Sequence, residues 1–487
     1  MFLELLKKIF LAAFVLSLIL IGSWKIAFCE EGYLGYEGGI SAYKDPDPKK
    51  TKIEYYEYTF VTGKPVLLTG TVDAKIKRAA NNETLSYTYD LKDSTGKVAI
   101  KRTVSLKGSL TKLQNGSITK EYTIAGYKET LTVEGATYNL QSYSFSKSTA
   151  VDTNPAVSFF QGQWTLEKTY DKGLKITIEG KNYGYDGYWG SGEFQNIKQI
   201  METPSWFATI NYNIALVQKT ILEFQQNNLP SSIPGTYVLK SKVEGNFIAM
   251  FDLPTFTKTG EVLTIRQKGR VTKSIEKNPI IRMAIAPTLP KVKGYEYEDA
   301  VNTSFAFGGF DNATDFNPAE YITRAQFAKL LMDALNIYSN YYNPRTVQKK
   351  SIYKDVPVNH KYYGYIYAVT KAGLMRGKSA EYFKPEDYIT RAEAAVVISK
   401  VLGFDKKVTQ PITQTGYLDD ESIPVWAKDA AWILKNEKIM VGTEDNNFLP
   451  QQRLTKGTAA NIVYNLINFL RDTLAQRYLD MSLFSSD

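Results

Sequence analysis

Two arginines stand in the same short text, Ile322-Thr323-Arg324-Ala325-Gln326 and Ile389-Thr390-Arg391-Ala392-Glu393. A third copy, Leu454-Thr455-Lys456-Gly457-Thr458, keeps the positive charge and loses the guanidinium. A guanidinium meets a carboxylate with two parallel hydrogen bonds, so an Arg here suits an acidic partner. At a helix N-terminus the dipole and free backbone N–H groups would add to the attraction. Part of the text has a purely structural explanation. Thr323 with Gln326, and Thr390 with Glu393, spell capping boxes, in which Thr caps the helix and the Gln or Glu closes on the Thr amide. A cap does not explain the cation beside it, which opposes the helix dipole at a cost of ~0.3–1 kcal/mol. Arg324 and Arg391 are therefore candidates for ligand contact. Lys456 is a weaker one, since it lacks the planar fork and Thr458 breaks the box.

Other chemistries find little to work with. The chain has one cysteine, Cys29, and one histidine, His360. No disulfide can form within it, no Cys/His zinc site can be built, and any His-dependent catalytic pair would have to use His360. That residue precedes a helix and reads as a solvent-facing turn. Asp311, Asn312 and Asp315 lack the spacing of a calcium loop and read as a polar turn. Acids are scattered, and no local pattern selects two for glycoside hydrolysis. The expectation is a protein that is not an enzyme and uses no metal or cofactor. Its net charge of +9 is spread without a basic stripe, so nucleic acid is poorly supported as a partner.

The candidate residues sit in a larger repeat. Phe316-Asn317-Pro318, Phe383-Lys384-Pro385 and Phe448-Leu449-Pro450 precede the three texts, with their prolines 67 and 65 residues apart. A fixed period with matching punctuation marks tandem structural units. Tyr353-Lys354-Asp355 and Tyr417-Leu418-Asp419 open the second and third units. A first helix follows, over residues 362–371 and 426–435, and then turns ending in Gly377 and Gly442. Apolar residues at helical spacing follow each Thr-Arg or Thr-Lys text, such as Phe327, Leu330, Leu331, Ala334 and Leu335. This ordering resembles the S-layer homology (SLH) domain, over roughly residues 295–472.

The resemblance implies a helical, pseudo-threefold unit whose grooves bind pyruvylated secondary cell-wall polysaccharide. On that basis the polysaccharide-binding candidates are Arg324, Arg391, Lys456, Thr323, Thr390, Gly377, Gly442 and Trp426. Gln326, Glu393, Asp355 and Asp419 are the capping candidates, and Thr323 and Thr390 have a mainly structural part. The repeats are expected at 295–345, 351–405 and 415–472. Asp299 to Phe316 is only 17 residues, against 28 for Asp355 to Phe383 and 29 for Asp419 to Phe448. Most of the first helix of repeat one is therefore expected to be missing, replaced by the preceding segment or not at all. The chain after Arg471 gives no reading.

Ahead of the repeats the period is two. Leu85, Tyr87, Tyr89 and Leu91 alternate with polar residues, as do Val98, Ile100, Val104 and Leu106, with Arg102 breaking the apolar face. Trp164, Leu166 and Tyr170 share one face, and Leu174, Ile176 and Ile178 follow after a turn. Asp93-Ser94-Thr95-Gly96, Asn115-Gly116 and Asp171-Lys172-Gly173 are turn signals. The 34 tyrosines suit strands. The region 53–290 is thus read as antiparallel β, a sandwich or barrel of one or two domains, with a dip in pattern at 149–155 as a possible boundary. Residues 205–226 are read as strand, with a helix over 215–226 as the alternative. Gly- and aromatic-rich residues 183–190 could stack on sugar or pack in a tight hairpin.

At the N-terminus, Lys7 and Lys8 precede an apolar run from Ile9 to Ile21, and Ala27 and Cys29 stand at −3 and −1 of a possible cleavage site. That is the pattern of a secretory signal peptide over residues 1–29, with an uncleaved membrane anchor as the alternative. Residues 30–52 read as a linker. Together these features describe a secreted bacterial wall or surface-layer protein that displays a β domain, with self-association in a surface layer as a further possibility. An anchored polysaccharide-degrading enzyme or an adhesion module is the alternative.

Overall fold

The computed structural model describes residues 35–41, 52–79, 81–114, 116–225, 236–257, 261–278, 280–285, 291–347, 350–407 and 410–484. The signal-peptide reading falls outside them. Within them, no helix is long and apolar enough to cross a membrane.

The fold is multidomain, an all-β region followed by helical repeats. Among the described residues, fourteen strands form one antiparallel sheet: β1 (Gly39–Ser41), β2 (Lys52–Thr59), β3 (Val66–Arg78), β4 (Asn82–Lys92), β5 (Val98–Lys112), β6 (Ile118–Val133), β7 (Ala136–Thr153), β8 (Val157–Tyr170), β9 (Lys175–Gly187), β10 (Gly190–Glu202), β11 (Phe207–Gln225), β12 (Thr236–Phe256), β13 (Val262–Lys277) and β14 (Ile280–Ile285). From β1 to β13 the spatial order is the sequence order, and β14 pairs with β12. The sheet is one layer curled on itself rather than two stacked layers. Strands from opposite ends meet across its inside: Tyr58 stacks on Phe247 at 5.2 Å between ring centroids, and Phe60 meets Phe251 at 5.6 Å. The pattern dip at 149–155 is the β7–β8 turn, and the ladder continues through it.

Alternation fills the inside as expected, with Leu85, Tyr87, Tyr89 and Leu91 all buried. Arg102 also points inward and is 3% exposed. Its Nη1 and Nη2 donate to Glu57 at 2.9 and 3.0 Å, and its Nε donates to Glu129 at 2.6 Å. Lys168 binds Glu37 and Glu129, and the hydroxyls of Tyr127 and Tyr170 donate to Glu37 and Glu129. Two cations thus offset three carboxylates, which is how buried charge is tolerated. Burial raises the Glu57 pKa, outweighing Arg102. Burial would also raise Glu129, but Arg102 and Lys168 hold it well below its ordinary value.

Glu37 belongs to the stretch read as a linker, and residues 35–41 of that stretch are core. Trp164 Nε1 and Gln195 Nε2 each donate, at 3.0 Å, to the Tyr36 and Gly35 carbonyls. The segment fits because Gly38 and Gly39 carry no Cβ; at Gly38 one would sit 2.7 Å from the Tyr212 ring.

The helices are α1 (Glu298–Ala306), α2 (Arg324–Ala334), the single turn α3 (Tyr338–Tyr341), α4 (Tyr363–Lys371), α5 (Arg391–Leu402), α6 (Val425–Asn436), α7 (Lys456–Asn468) and α8 (Leu474–Phe484). A π-helical turn at Phe469–Thr473 joins α7 to α8. Helix α8, the part of the chain with no reading, lies across β10, β11 and β12. That cover explains why Ala215 and Val217, on the outer face of β11, are buried as fully as Ile214 on the inner one. A strand buried on both faces loses its alternation and reads like a helix, yet β11 is strand throughout.

The sheet adds Ala156, Val157, Tyr185 and Trp189 to the core of the helices, while its own interior forms a separate core. Trp189 donates to the Ala334 carbonyl at 2.6 Å, Ala156 N–H to the Val401 carbonyl at 3.1 Å, and Tyr185 packs on Tyr478 at 4.9 Å. The Gly- and aromatic-rich run 183–190 therefore packs chiefly against the helical region.

Candidate functional site

Three loops, one from each repeat, close a ring. Ile322 N–H donates to the Leu454 carbonyl at 2.9 Å, Leu454 N–H to Ile389 at 3.0 Å, and Ile389 N–H to Ile322 at 3.3 Å. Each repeat donates once and accepts once, so the three are threaded into a closed cycle. Helix pairs follow the same cycle, with α2 on α4, α5 on α6, and α1 on α7.

Repeat one has its first helix. Helix α1 has 9 residues, the same as α4. Asp299 lies in the first turn of α1, so it is no counterpart of Asp355. The acidic opener is what the short repeat lacks.

The helix N-termini are sealed. Arg324 N–H donates to the Asp387 carbonyl at 2.9 Å, Arg391 to Gln452 at 2.8 Å and Lys456 to Glu320 at 2.8 Å. The next N–H groups, of Ala325, Ala392 and Gly457, go to the carbonyls of Pro385, Pro450 and Pro318. Thr323, Thr390 and Thr455 accept from the third, and the boxes with Gln326 and Glu393 are both closed. Free N–H groups for an anion, expected from sequence, are absent at these three termini. The proline of each Phe-x-Pro text lends its carbonyl to the helix of the preceding repeat.

The two guanidiniums occupy the same joints. Arg324, 5% exposed, donates from Nε to the Phe383 carbonyl at 3.2 Å and from Nη2 to the Arg376 carbonyl at 2.7 Å; its Nη1 lies 3.7 Å from Glu393. Arg391, 9% exposed, donates from Nε to the Phe448 carbonyl at 2.7 Å and from Nη2 to the Val441 carbonyl. Burial lowers both pKa values, with Glu393 opposing the shift at Arg324. A guanidinium nevertheless stays cationic in proteins. Their cation is thus explained in part by the joint, since each fork fastens one repeat to the next. Lys456 pairs with Glu320 and lies over Phe316 at 5.7 Å.

The remaining candidates group around these joints. Asp355 accepts from the N–H of Phe383 at 2.9 Å and of Lys384 at 2.7 Å; Asp419 does the same for Phe448 at 2.7 Å and Leu449 at 2.8 Å. Lys384 and Leu449 hold positive φ values of 60° and 57°, which a side chain adopts at a cost. The acid pins that turn. Gly377 and Gly442 pack against Tyr353 and Tyr417 too closely for a Cβ. Trp426 is 58% exposed on α6 and so is not core. His360 is a partly buried turn residue whose Nδ1 accepts from Tyr362 N–H.

Sequence reasoning missed one cavity. It measures about 170 Å³ and is lined by Phe310, Asp311, Asp315, Lys329, Lys361 and Lys456, among others. Asp311 is paired with Lys361 at 2.7 Å and accepts from Tyr362 at 2.7 Å. Among the described residues no cluster of His, Cys, Asp or Glu could hold a metal ion.

Residues 352–395 and 417–460 match the S-layer homology domain, which covers repeats two and three. The chain is 30% identical over 155 residues to the exoglucanase XynX of Acetivibrio thermocellus, covering 32% of this chain and 14% of that protein. It is 28% identical over 183 residues to an endoglucanase of Bacillus sp. (strain KSM-635), covering 37% and 18%. It is 28% identical over 205 residues to the surface-layer 125 kDa protein of Lysinibacillus sphaericus, covering 39% and 16%. The chain thus spans less than a fifth of the length of each of these relatives.

Proposed function

From a C-terminal region made of S-layer homology repeats, in a secreted protein of the bacterial cell wall or surface layer, we infer a non-enzymatic anchor. The helical ring holds the secondary polysaccharide of the wall through its inter-repeat grooves, and the curled sheet is displayed outward. The observation that carries this reading is the cyclic joint between the repeats, around which basic side chains such as Arg376 and Lys384 stand exposed. An acidic polymer, pyruvylated in the sense the family resemblance suggests, suits those cations. Assembly with further copies in a surface layer is part of the same proposal.

The absence of an enzymatic role is supported by the sheet interior. Its carboxylates Glu37, Glu57 and Glu129 are buried and tied to Arg102 and Lys168, and the space beside them is about 30 Å³. That is room for about two water molecules.

The test is co-sedimentation of the protein with purified wall sacculi, intact and after acid stripping of their secondary polysaccharide. Recovery with intact sacculi only is the expected result. Equal recovery from both sinks the reading.

A further inference from the structure

The grooves between repeats one and two, and between repeats two and three, are built alike but surfaced differently. Their positions correspond through shared contacts. Arg324 clasps the Arg376 carbonyl as Arg391 clasps that of Val441. Asp355 pins Lys384 as Asp419 pins Leu449, and both pinned residues share the same left-handed backbone. Around the first groove stand Lys354, Arg376, Lys378 and Lys384, all exposed. Around the second, the corresponding residues are Leu418, Val441, Thr443 and Leu449. Leu418 is 77% exposed and Val441 54%.

The basic side chains are not equally committed. Lys354 pairs with Glu381 at 2.6 Å and Lys378 with Glu393. Arg376 and Lys384 have no carboxylate partner among the described residues, and Lys384 lies 5.4 Å over the Tyr382 ring. Nearby acids temper the first lip: Glu381, Glu386 and Asp387, with Asp355 and Glu393 at the joint, offset Lys354, Arg376, Lys378 and Lys384, so the uncommitted Arg376 and Lys384, not a net charge, set it apart. The stretch from Val441 to Gln452 holds Glu444 and Asp445 and no base. In the third groove Asn317 stands where Lys384 does, and Lys456 is tied to Glu320.

We propose that the groove between repeats one and two is the seat of the acidic polysaccharide, gripped by Arg376 and Lys384, and that the groove between repeats two and three takes no acidic sugar. This rests on the anchoring reading above. The Arg324 fork is spent on the joint, leaving the outward cations to make contact. A carboxylate-bearing polymer gains at a lip of uncommitted cations, and the gain is screened by salt. At the second groove the same polymer would lay its charged groups against leucine and valine, losing hydration without a partner.

The test compares Arg376→Glu/Lys384→Glu with Leu418→Glu/Leu449→Glu in the full protein, as affinity for intact sacculi at low and physiological salt. All four positions are exposed, so the variants should fold; thermal unfolding checks this. The first variant should bind at least about tenfold more weakly and lose most of its salt dependence. The second should stay within about twofold of the unsubstituted protein. Equal losses in the two variants, or no loss in the first, overturn the assignment while leaving anchoring intact. An unsubstituted protein that ignores sacculi, or binds stripped ones equally, overturns the anchoring reading and this assignment with it.

Discussion

The guanidinium of Arg324 lies over the ring of Phe383, 4.8 Å from its centroid, and its Nε donates to the carbonyl of that same residue. One side chain thus grips both the ring and the backbone of the neighbouring repeat. Arg391 repeats the arrangement on Phe448 at 5.3 Å.

Arg324→Ala should therefore act on stability before any ligand is considered. It strands two inward carbonyls and removes a packed cation, for a cost of about 2–4 kcal/mol. Arg324→Lys keeps the charge but not the fork, and should recover less than half of that loss. Urea unfolding of the two variants checks this. A loss below about 0.5 kcal/mol for the alanine would show that the clasp holds nothing.

Asp419→Ala should cost about 1–3 kcal/mol, because it leaves two N–H groups unpaired and releases a leucine held in left-handed backbone. Leu449→Gly should gain about 0.5–1 kcal/mol by removing the Cβ that opposes that conformation. If both substitutions destabilise, the strain at Leu449 is not what Asp419 restrains.

The buried charge cluster sets opposite pH dependences. Glu129 is held below its ordinary pKa, burial notwithstanding, by Arg102 and Lys168. Its contribution is full above the ordinary Glu value of ~4.3 and is lost as the pH falls below it. Burial raises Glu57, so its contribution is greatest below ~4.3 and declines as the pH rises through the raised folded value. At pH 7 Glu129→Gln should therefore cost more than Glu57→Gln, on the order of 3 kcal/mol against 1. Denaturant titrations at pH 5 and pH 7 check the ranking, and the reverse order refutes it.

Trp189→Ala should loosen the helices from the sheet. It removes a 2.6 Å hydrogen bond and a ring buried in the shared core, a loss of about 3–5 kcal/mol. Calorimetry should show one transition in the unsubstituted protein and two separated ones in the variant. A single, merely lowered transition would mean that the interface holds without this residue.

The repeats were legible because their signals are local. A capping box, a Phe-x-Pro turn and a helical stripe each lie within a few residues, and copies of one text confirm each other. The antiparallel strands were legible wherever one face met solvent. What stayed hidden depends on distant partners. Nothing near Gly35, Tyr36 and Glu37 announces a core segment, since the groups that receive them, Gln195, Trp164 and Lys168, lie more than a hundred residues away. Helix α8 was unread because its covered face is completed only by the sheet. The missing opener of repeat one looked like a missing helix because Asp299 supplied an acid near the expected place. The role of the arginines at the joint was invisible too, since a backbone carbonyl carries no sequence signature.

Helix α8 leaves the third repeat and lies back across β10, β11 and β12, while Trp189 and the β7–β8 turn hold the ring elsewhere. At Gly190 the π-helical turn that leads into α8 passes so close that a Cβ would come within 2.7 Å of the Leu470 carbonyl. A molecule fastened to a wall by its ring and pulled by its sheet would carry the load through these attachments side by side. The tether would then give way by sliding a whole helix off three strands at once, not by peeling one repeat after another from the end.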